Sequence, residues 1–285
     1  MKTGKRIGWI TLGLTPIAAG FCWQILVSVV GVVIYMFYGS YKAAETGTAV
    51  VDYDQLIAGF LDGNGGAYGL MMATINIGYL LIFGLWYGLM FVRKQQDRGR
   101  WKQVLKPVRI SGLLVCGLGV QLFLSMALTV IFSFAPALGE QYKLVSDALS
   151  SNSVFMILCV CILAPIGEEL IFRGLTMRIM ERAIPWQAAM IVQAILFGIY
   201  HMNLIQGIYA ALLGLIFGYV AHRYGSVIPG MLLHMAVNSF SYGMQYLLPE
   251  EVEESILWQV VLCVVGLGMT IAALRMYLKD VKSQN

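Results

Sequence analysis

Residues 154–174 read VFMILCVCILAPIGEELIFRG, a long apolar run that leads into Glu168, Glu169 and Arg173. An ionisable side chain at the centre of a transmembrane helix costs about 2.5–3.5 kcal/mol on insertion scales, so such residues are rarely accidental. The stretch therefore predicts a membrane-spanning helix that carries functionally important polar groups.

The composition of the whole chain is that of a membrane protein. Hydrophobic residues make up 59% of the 285 residues, charged residues only 12%, and the mean hydropathy is +0.76. An ordinary soluble domain has roughly 25% charged residues. We predict an all-α fold, a polytopic membrane bundle of about eight transmembrane helices, because stretches of roughly 20 apolar residues match the bilayer thickness. The predicted spans cover residues 9–37, 67–92, 110–134, 154–172, 186–202, 205–221, 227–247 and 257–277.

The predicted organisation is a single transmembrane domain over residues 1–285, with a motif-bearing core at about 154–247. If the amino terminus is cytoplasmic, all of the 19 lysines and arginines except Lys42 and Lys143 lie on the cytoplasmic side. The positive-inside rule then predicts that both termini are cytoplasmic. The net charge of +4 reflects this topology beside anionic lipid head groups, so we expect the lipid bilayer as a partner and no nucleic acid.

The two glutamates in the first polar cluster differ in their predicted surroundings. Glu169 and Arg173 are one helical turn apart and can form an ion pair, whereas Glu168 points about 100° away. A carboxylate left free in a dry cavity has a raised proton affinity and suits a general base. The alternative is that both glutamates mark the cytoplasmic end of the span and are solvated.

Two further polar clusters interrupt apolar segments, FGIYH at residues 197–201 and HMAVN at residues 234–238. The spacing of four residues places His234 and Asn238 on one helix face, so both can direct a donor to one point. A single histidine in a membrane helix is also often only a hydrogen-bonded helix contact. The joint occurrence of the three clusters favours a functional site.

In this order, the patterns Glu-Glu-x-x-x-Arg, Phe-x-x-x-His and His-x-x-x-Asn, with YVAHRYGSVIPG at residues 219–230, resemble the CPBP family of intramembrane proteases. That family includes the type II CAAX prenyl endopeptidases and the bacteriocin-processing or self-immunity proteins. The resemblance covers roughly residues 163–240. It implies eight transmembrane helices and cleavage of a peptide bond within or beside the membrane.

The resemblance also implies roles for individual residues. Glu168 and His201 would activate the attacking water, and His234 and Asn238 would stabilise the oxyanion. These roles agree with the chemistry of amide hydrolysis, which needs a base for water and donors for the tetrahedral oxygen. We predict the catalytic residues Glu168, Glu169, His201, His234 and Asn238, with Arg173 and Phe197 in support.

Two mechanisms remain open for these residues. In the favoured mechanism no metal takes part, and Glu168 and His201 polarise water directly. In the other, Glu168, His201 and His234 bind zinc, with water as the fourth ligand. The absence of a His-Glu-x-x-His helix and the presence of an asparagine, an uncommon zinc ligand, favour the first. Arg173 is also predicted to meet the carboxy terminus of the substrate.

The predicted positions of the three clusters along the membrane normal conflict. Straight helices put Glu168 and His234 about 8–12 Å from the cytoplasmic face, whereas His201, at the far end of its span from Trp186, is nearer the outer face. We expect a distortion, either a helix broken at Pro165 or a segment from Ile184 that first follows the interface.

The expected partner is a membrane-associated peptide or protein substrate. In a bacterial cell membrane, which we expect for this chain, it would be a bacteriocin-like or signal-peptide-like precursor; in a eukaryote it would be a prenylated CAAX tail. The alternative from another class is a catalytically silent immunity or regulatory binding protein of the same fold. A proton-coupled transporter is a weaker alternative, because no second set of broken helices mirrors the first.

Overall fold

The computed structural model describes residues 3–47, 56–57, 59–60, 66–93, 105–149, 154–249, 252 and 255–282. These residues contain nine helices of at least 14 residues and no strands. The helices are α1 (Thr3–Glu45), α2 (Ala67–Val92), α3 (Pro107–Phe134), α4 (Pro136–Leu149), α5 (Val154–Met180), α6 (Trp186–Tyr200), α7 (Leu204–Tyr224), α8 (Ile228–Leu247) and α9 (Ile256–Lys282).

Six of these helices, α1, α2, α3, α5, α7 and α9, are long and apolar enough to cross a membrane. Helix α6 is apolar but has only 15 residues, about 22 Å at 1.5 Å per residue, and the hydrocarbon core is about 30 Å thick. The prediction of an all-α, polytopic membrane bundle is confirmed, and the chain is a multi-pass integral membrane protein. The number of eight spans stays a prediction.

Helix α5 lies at the centre of the bundle, between two buried apolar clusters. One cluster joins α5 to α1, α2 and α6, and it includes Phe83, Ile171 and Phe197. The other joins α3, α7, α8 and α9 around Phe217 and Leu233. Every residue from 170 to 177 is buried, so Arg173 and Thr176 are held inside the protein.

The predicted break of α5 at Pro165 is wrong, because the helix continues through this residue. A π-helical stretch, Cys159–Leu163, directly precedes it, and the amide of Ala164 donates to the carbonyl of Cys159, five residues back. In this pattern the carbonyl of Val160 would pair with the nitrogen of Pro165, which carries no hydrogen. The widened turn therefore accommodates the proline and leaves one carbonyl of α5 without a backbone donor.

Helix α5 also runs to Met180, well beyond the predicted end at residue 172. Glu168 lies about 18 Å along the helix from Met180, so the alternative that the glutamates mark a solvated helix end is wrong. His201 follows the end of α6, about 22 Å from Trp186. A short turn joins α5 to α6, so both lengths are measured from the same end of the bundle, and Glu168 and His201 lie at similar distances from it. The predicted segment along the interface before α6 is therefore not needed to bring them to the same level.

Two glycines bring the backbones of α3 and α9 into direct contact. A Cβ atom added to Gly266 would lie 2.5 Å from the amide nitrogen of Phe123 and 2.7 Å from the carbonyl oxygen of Gly119. Small residues at helix contacts are the usual means by which transmembrane helices approach closely. The position of α9 in the bundle therefore depends on Gly266.

We expect Gly266→Ala to lower the stability of the protein by about 1–3 kcal/mol, because the new methyl group meets backbone atoms that cannot rotate away. The matched control is Gly268→Ala on the same helix, where an added Cβ would meet nothing within 4 Å. Thermal unfolding in detergent measures both variants. Equal midpoints for the two would contradict this packing.

Candidate active site

Glu169 and Arg173 form a fully buried ion pair within α5, as the sequence predicted. Arg173 Nη1 donates to Glu169 Oε1 at 2.8 Å, and both side chains are 0% exposed. The guanidinium carbon lies 4.3 Å from the ring centre of Phe197 and 5.2 Å from that of Phe217. Cation–π attraction replaces part of the lost hydration. Nε and Nη2 of Arg173 have no hydrogen-bond partner among the described residues.

The same carboxylate oxygen orients His234 on α8. His234 Nδ1 lies 3.2 Å from Glu169 Oε1. An ionised carboxylate only accepts, so Nδ1 carries the hydrogen of this bond. The imidazole stacks on Phe217 at 4.7 Å and meets the edge of Phe197 at 5.8 Å between ring centres. The bond and the two rings together fix which way His234 Nε2 points.

His234 Nε2 points toward Glu168, the one acidic side chain of this cluster that solvent reaches. Nε2 and Glu168 Oε2 are 3.7 Å apart, and the Glu168 side chain is 18% exposed. In the described part of the chain Glu168 has no ion-pair partner besides His234. The two adjacent glutamates thus differ as the helical spacing predicts: Glu169 is neutralised by Arg173, and Glu168 is not.

Asn238 lies one turn beyond His234 on α8 and binds the backbone of α5. Asn238 Nδ2 donates to the carbonyl of Val160 at 2.9 Å. This is the carbonyl that Pro165 leaves without a backbone donor.

Asn238 also borders a cavity of about 220 Å³ between α3, α4, α7 and α8. The polar side chains around the cavity are those of Gln121, Ser125, Thr129, Tyr142, Tyr209, Asn238 and Ser241.

Among the described residues, His201 joins the cluster through Phe197. Its Nδ1 donates to the Phe197 carbonyl at 2.8 Å, and its ring meets the Phe197 ring edge-on at 4.8 Å. Within the described residues, His201 makes no hydrogen bond or ion pair with Glu168, His234 or Asn238. Of the predicted residues, Glu168, Glu169, Arg173 and His234 therefore contact one another directly. His201 joins them through Phe197, and Asn238, one turn from His234, binds the backbone of Val160.

Reasoning from the sequence missed two neighbours of this cluster. A Cβ atom added to Gly230 would lie 2.5 Å from Glu169 Oε2, so the backbone at the start of α8 packs directly against the carboxylate. Gly230 is the last residue of the 219–230 stretch that contributes to the family resemblance, and this position could have indicated its importance. Phe217, which contacts both Arg173 and His234, lies in a wholly apolar run and offers no such signal.

A pair of buried tyrosines borders the cluster on the side of α1 and α2. The hydroxyl groups of Tyr79 and Tyr200 are hydrogen-bonded to each other, and that of Tyr79 is also 3.1 Å from Gln24 Oε1. Tyr79 packs against Gly167, where an added Cβ would lie 2.9 Å from Tyr79 Cβ. The residue that precedes Glu168 must therefore be small.

The described residues contain no group of three His, Cys, Asp or Glu side chains that could hold a metal ion. Glu168 and His234 are adjacent, but no hydrogen bond or ion pair among the described residues joins His201 to either of them. The alternative zinc set of Glu168, His201 and His234 is thus not assembled here. His222 bonds to Glu181 at 3.0 Å and stacks on Trp186.

Fold and site together define a polytopic α-helical membrane protein with a carboxylate–histidine cluster inside the bundle. The family model described as type II CAAX prenyl endopeptidase Rce1-like matches residues 150–240. This match confirms the resemblance to CPBP intramembrane proteases, and it covers all of the predicted site residues. No curated protein and no solved structure matches the chain.

We expect Asn238→Leu to lower the free energy of unfolding by about 1–3 kcal/mol, because the partly buried carbonyl of Val160 would lose its donor. The loss should be smaller in a Pro165→Ala background, where the alanine amide supplies the missing N–H. Unfolding in mixed detergent and dodecyl sulfate, followed for all four proteins of this double-mutant cycle, gives the coupling between the two positions. Equal losses in both backgrounds would show that Pro165 does not create the need for Asn238.

Proposed function

We propose that this protein is an intramembrane endopeptidase that hydrolyses a peptide bond of a membrane-associated protein or peptide. The observation that carries the proposal is the position of Glu168. It is a partly exposed carboxylate with no arginine or lysine partner among the described residues, and it lies beside a histidine whose orientation is fixed. The match to an endopeptidase family over the same residues supports this reaction class.

In the proposed mechanism Glu168 takes a proton from water as the oxygen attacks the peptide carbonyl carbon. With both ring nitrogens protonated, His234 donates from Nε2 to the oxyanion while Nδ1 stays bonded to Glu169. The second N–H of the Asn238 amide is the other donor to the oxyanion. Collapse of the tetrahedral intermediate breaks the C–N bond, and the proton held by Glu168 passes to the leaving nitrogen.

His201 has a less direct role in this proposal than the sequence predicted. Because its Nδ1 hydrogen is held by the Phe197 carbonyl, only Nε2 is free to accept from the attacking water. Arg173 is fully buried behind the phenylalanine rings, so the predicted contact with the carboxy terminus of a substrate would require these rings to move.

The second candidate is a catalytically silent binding protein of the same fold. The geometry of His201 and Asn238 favours it, since one is bonded to its own helix and the other to Val160. For either candidate we propose a multi-pass protein of a bacterial cell membrane with both termini cytoplasmic. The bacterium's membrane peptides would then include the substrate or the bound partner.

We expect Glu168→Gln to lower the rate of peptide cleavage by about 10²–10⁴-fold, because the amide cannot take a proton from water. The measurement compares membrane peptides in cells that carry the wild-type protein, Glu168→Gln or His201→Ala, at equal protein levels. Peptides that accumulate only with the wild type identify products, and a synthetic precursor then gives the rate. The control is Glu140→Gln, an exposed glutamate on α4 that the structure places outside the cluster.

Cleavage that continues in purified Glu168→Gln protein would contradict the proposed base. If both site variants give the same membrane peptides as the wild type, and the cells that carry them keep the wild-type phenotype, the silent binding protein would be favoured. Activity that a chelator removes and only added zinc restores would favour the metal mechanism. In that mechanism the free Nε2 atom of His201 would have to bind the same ion as Glu168 and His234, while Nδ1 could keep its bond to the Phe197 carbonyl.

A further inference from the structure

A second polar pocket lies at the end of the bundle predicted to face the cytoplasm, away from the candidate active site. It has a volume of about 390 Å³, within the usual range for small-molecule sites of about 300–1,000 Å³. Arg178 is about 13 Å along α5 from Glu169, so the two sites are separate. The pocket is lined by Phe91, Met177, Arg178, Glu181, Arg182, Ala221, His222 and Gly225.

The pocket carries an excess of positive charge that is organised around Phe91. The guanidinium carbons of Arg178 and Arg182 lie 5.5 Å and 5.4 Å from the centre of this one ring. Arg178 also donates to the carbonyl of Gly225 at the end of α7. Among the described residues that line the pocket, Glu181 supplies the one carboxylate, and it is bonded to His222 at 3.0 Å.

Arg182 is the residue that points to a ligand. Its guanidinium carbon lies 4.7 Å from the ring centre of Trp9. In the described part of the chain the guanidinium contacts the rings of Trp9 and Phe91, and it has no hydrogen-bond or carboxylate partner there. Like charges four residues apart repel each other. Arg178 and Arg182 are nevertheless held over the same ring. An anion between the two guanidinium groups would reduce this repulsion and accept hydrogen bonds from Arg182.

We propose that this pocket binds the phosphate group of an anionic phospholipid, with Arg182 as the principal contact and Arg178 as the second positive charge. Guanidinium groups bind phosphate oxygens through two parallel hydrogen bonds. Basic pockets between transmembrane helices on the cytoplasmic side are recurrent head-group sites. Trp9 and Trp186, which flank the pocket residues, are residues typical of the level at which head groups lie.

The surroundings favour a lipid over a free phosphate ion. Apolar side chains on α1 and α2 near Trp9 and Phe91 are exposed, among them Ile7 at 59%, Leu89 at 50% and Val92 at 43%. In a membrane these side chains face acyl chains. A head group in the pocket would therefore have its acyl chains against an apolar surface, an interaction that inorganic phosphate lacks.

The test uses the purified full-length protein titrated in detergent with dioleoyl phosphatidylglycerol, with dioleoyl phosphatidylcholine and with inorganic phosphate. Native mass spectrometry counts the bound lipid. We expect phosphatidylglycerol to bind more tightly than phosphatidylcholine, and Arg182→Gln to weaken it about fivefold, the effect of one charge near an anionic head group. The affinity of Arg182→Lys for phosphatidylglycerol should lie between those of the wild type and Arg182→Gln, because lysine keeps the charge but lacks the planar guanidinium.

The matched control is Arg275→Gln, which removes an exposed charge near the end of α9, outside the pocket. It should leave phosphatidylglycerol binding unchanged. Equal weakening by Arg182→Gln and Arg275→Gln would overturn the site, because the attraction would then be general. Displacement of the lipid by inorganic phosphate at equal concentration would overturn the assignment to a lipid. If Arg182→Gln does not fold, unchanged binding in the folded Arg182→Lys protein would overturn the role of the guanidinium.

Discussion

The ion pair of Arg173 and Glu169 sets the geometry of everything around it. Two opposite charges with no exposed surface persist inside a protein only when the surroundings compensate for the lost hydration. Here the compensation comes from other helices. Phe197 of α6 and Phe217 of α7 face the guanidinium, and His234 of α8 donates to the carboxylate. A pair within one helix thereby determines how three further helices pack.

The backbone of α5 adds a second link to α8. Because Pro165 lies five residues after Val160, the π-helical turn leaves the Val160 carbonyl for the side chain of Asn238. Together with the bond from His234 to Glu169, this gives two polar contacts one turn apart on the same face of α8. The two contacts fix both the rotation and the height of α8. Glu168 is then left facing a histidine whose orientation other groups determine.

The sequence predicted the class of fold and the ion pair because both follow from simple periodicities. Apolar stretches of membrane length predict transmembrane helices, and a spacing of four residues predicts the pairing of Glu169 with Arg173. The true end of α5 was not predictable from hydropathy. An arginine after an apolar run is typical of the start of a cytoplasmic segment, but here the helix continues to Met180 and aromatic rings surround the Arg173 charge.

The surroundings of the histidines could not be predicted for a related reason. Whether His201 meets Glu168 depends on the rotation of α6, which is decided by its packing against α5 and α7 and not by the spacing of its own residues. Phe197 was identified as part of a motif, but its position between the two histidine rings is a property of the packed bundle. Phe217 lies in an apolar helix, and the sequence does not distinguish the large residue that faces the site from those that face other helices or lipid.

The most direct test of this account is the stability of proteins that lack one or both members of the buried pair. Arg173→Met leaves Glu169 as a buried charge that keeps the bond from His234 but has lost its permanently charged partner, so we predict a loss of about 3–5 kcal/mol in the free energy of unfolding. Adding Glu169→Gln removes that charge and keeps an acceptor for His234, so the double variant should recover most of the loss. A single variant as stable as the wild type, or a double variant no better than the single, would contradict the central place of the pair.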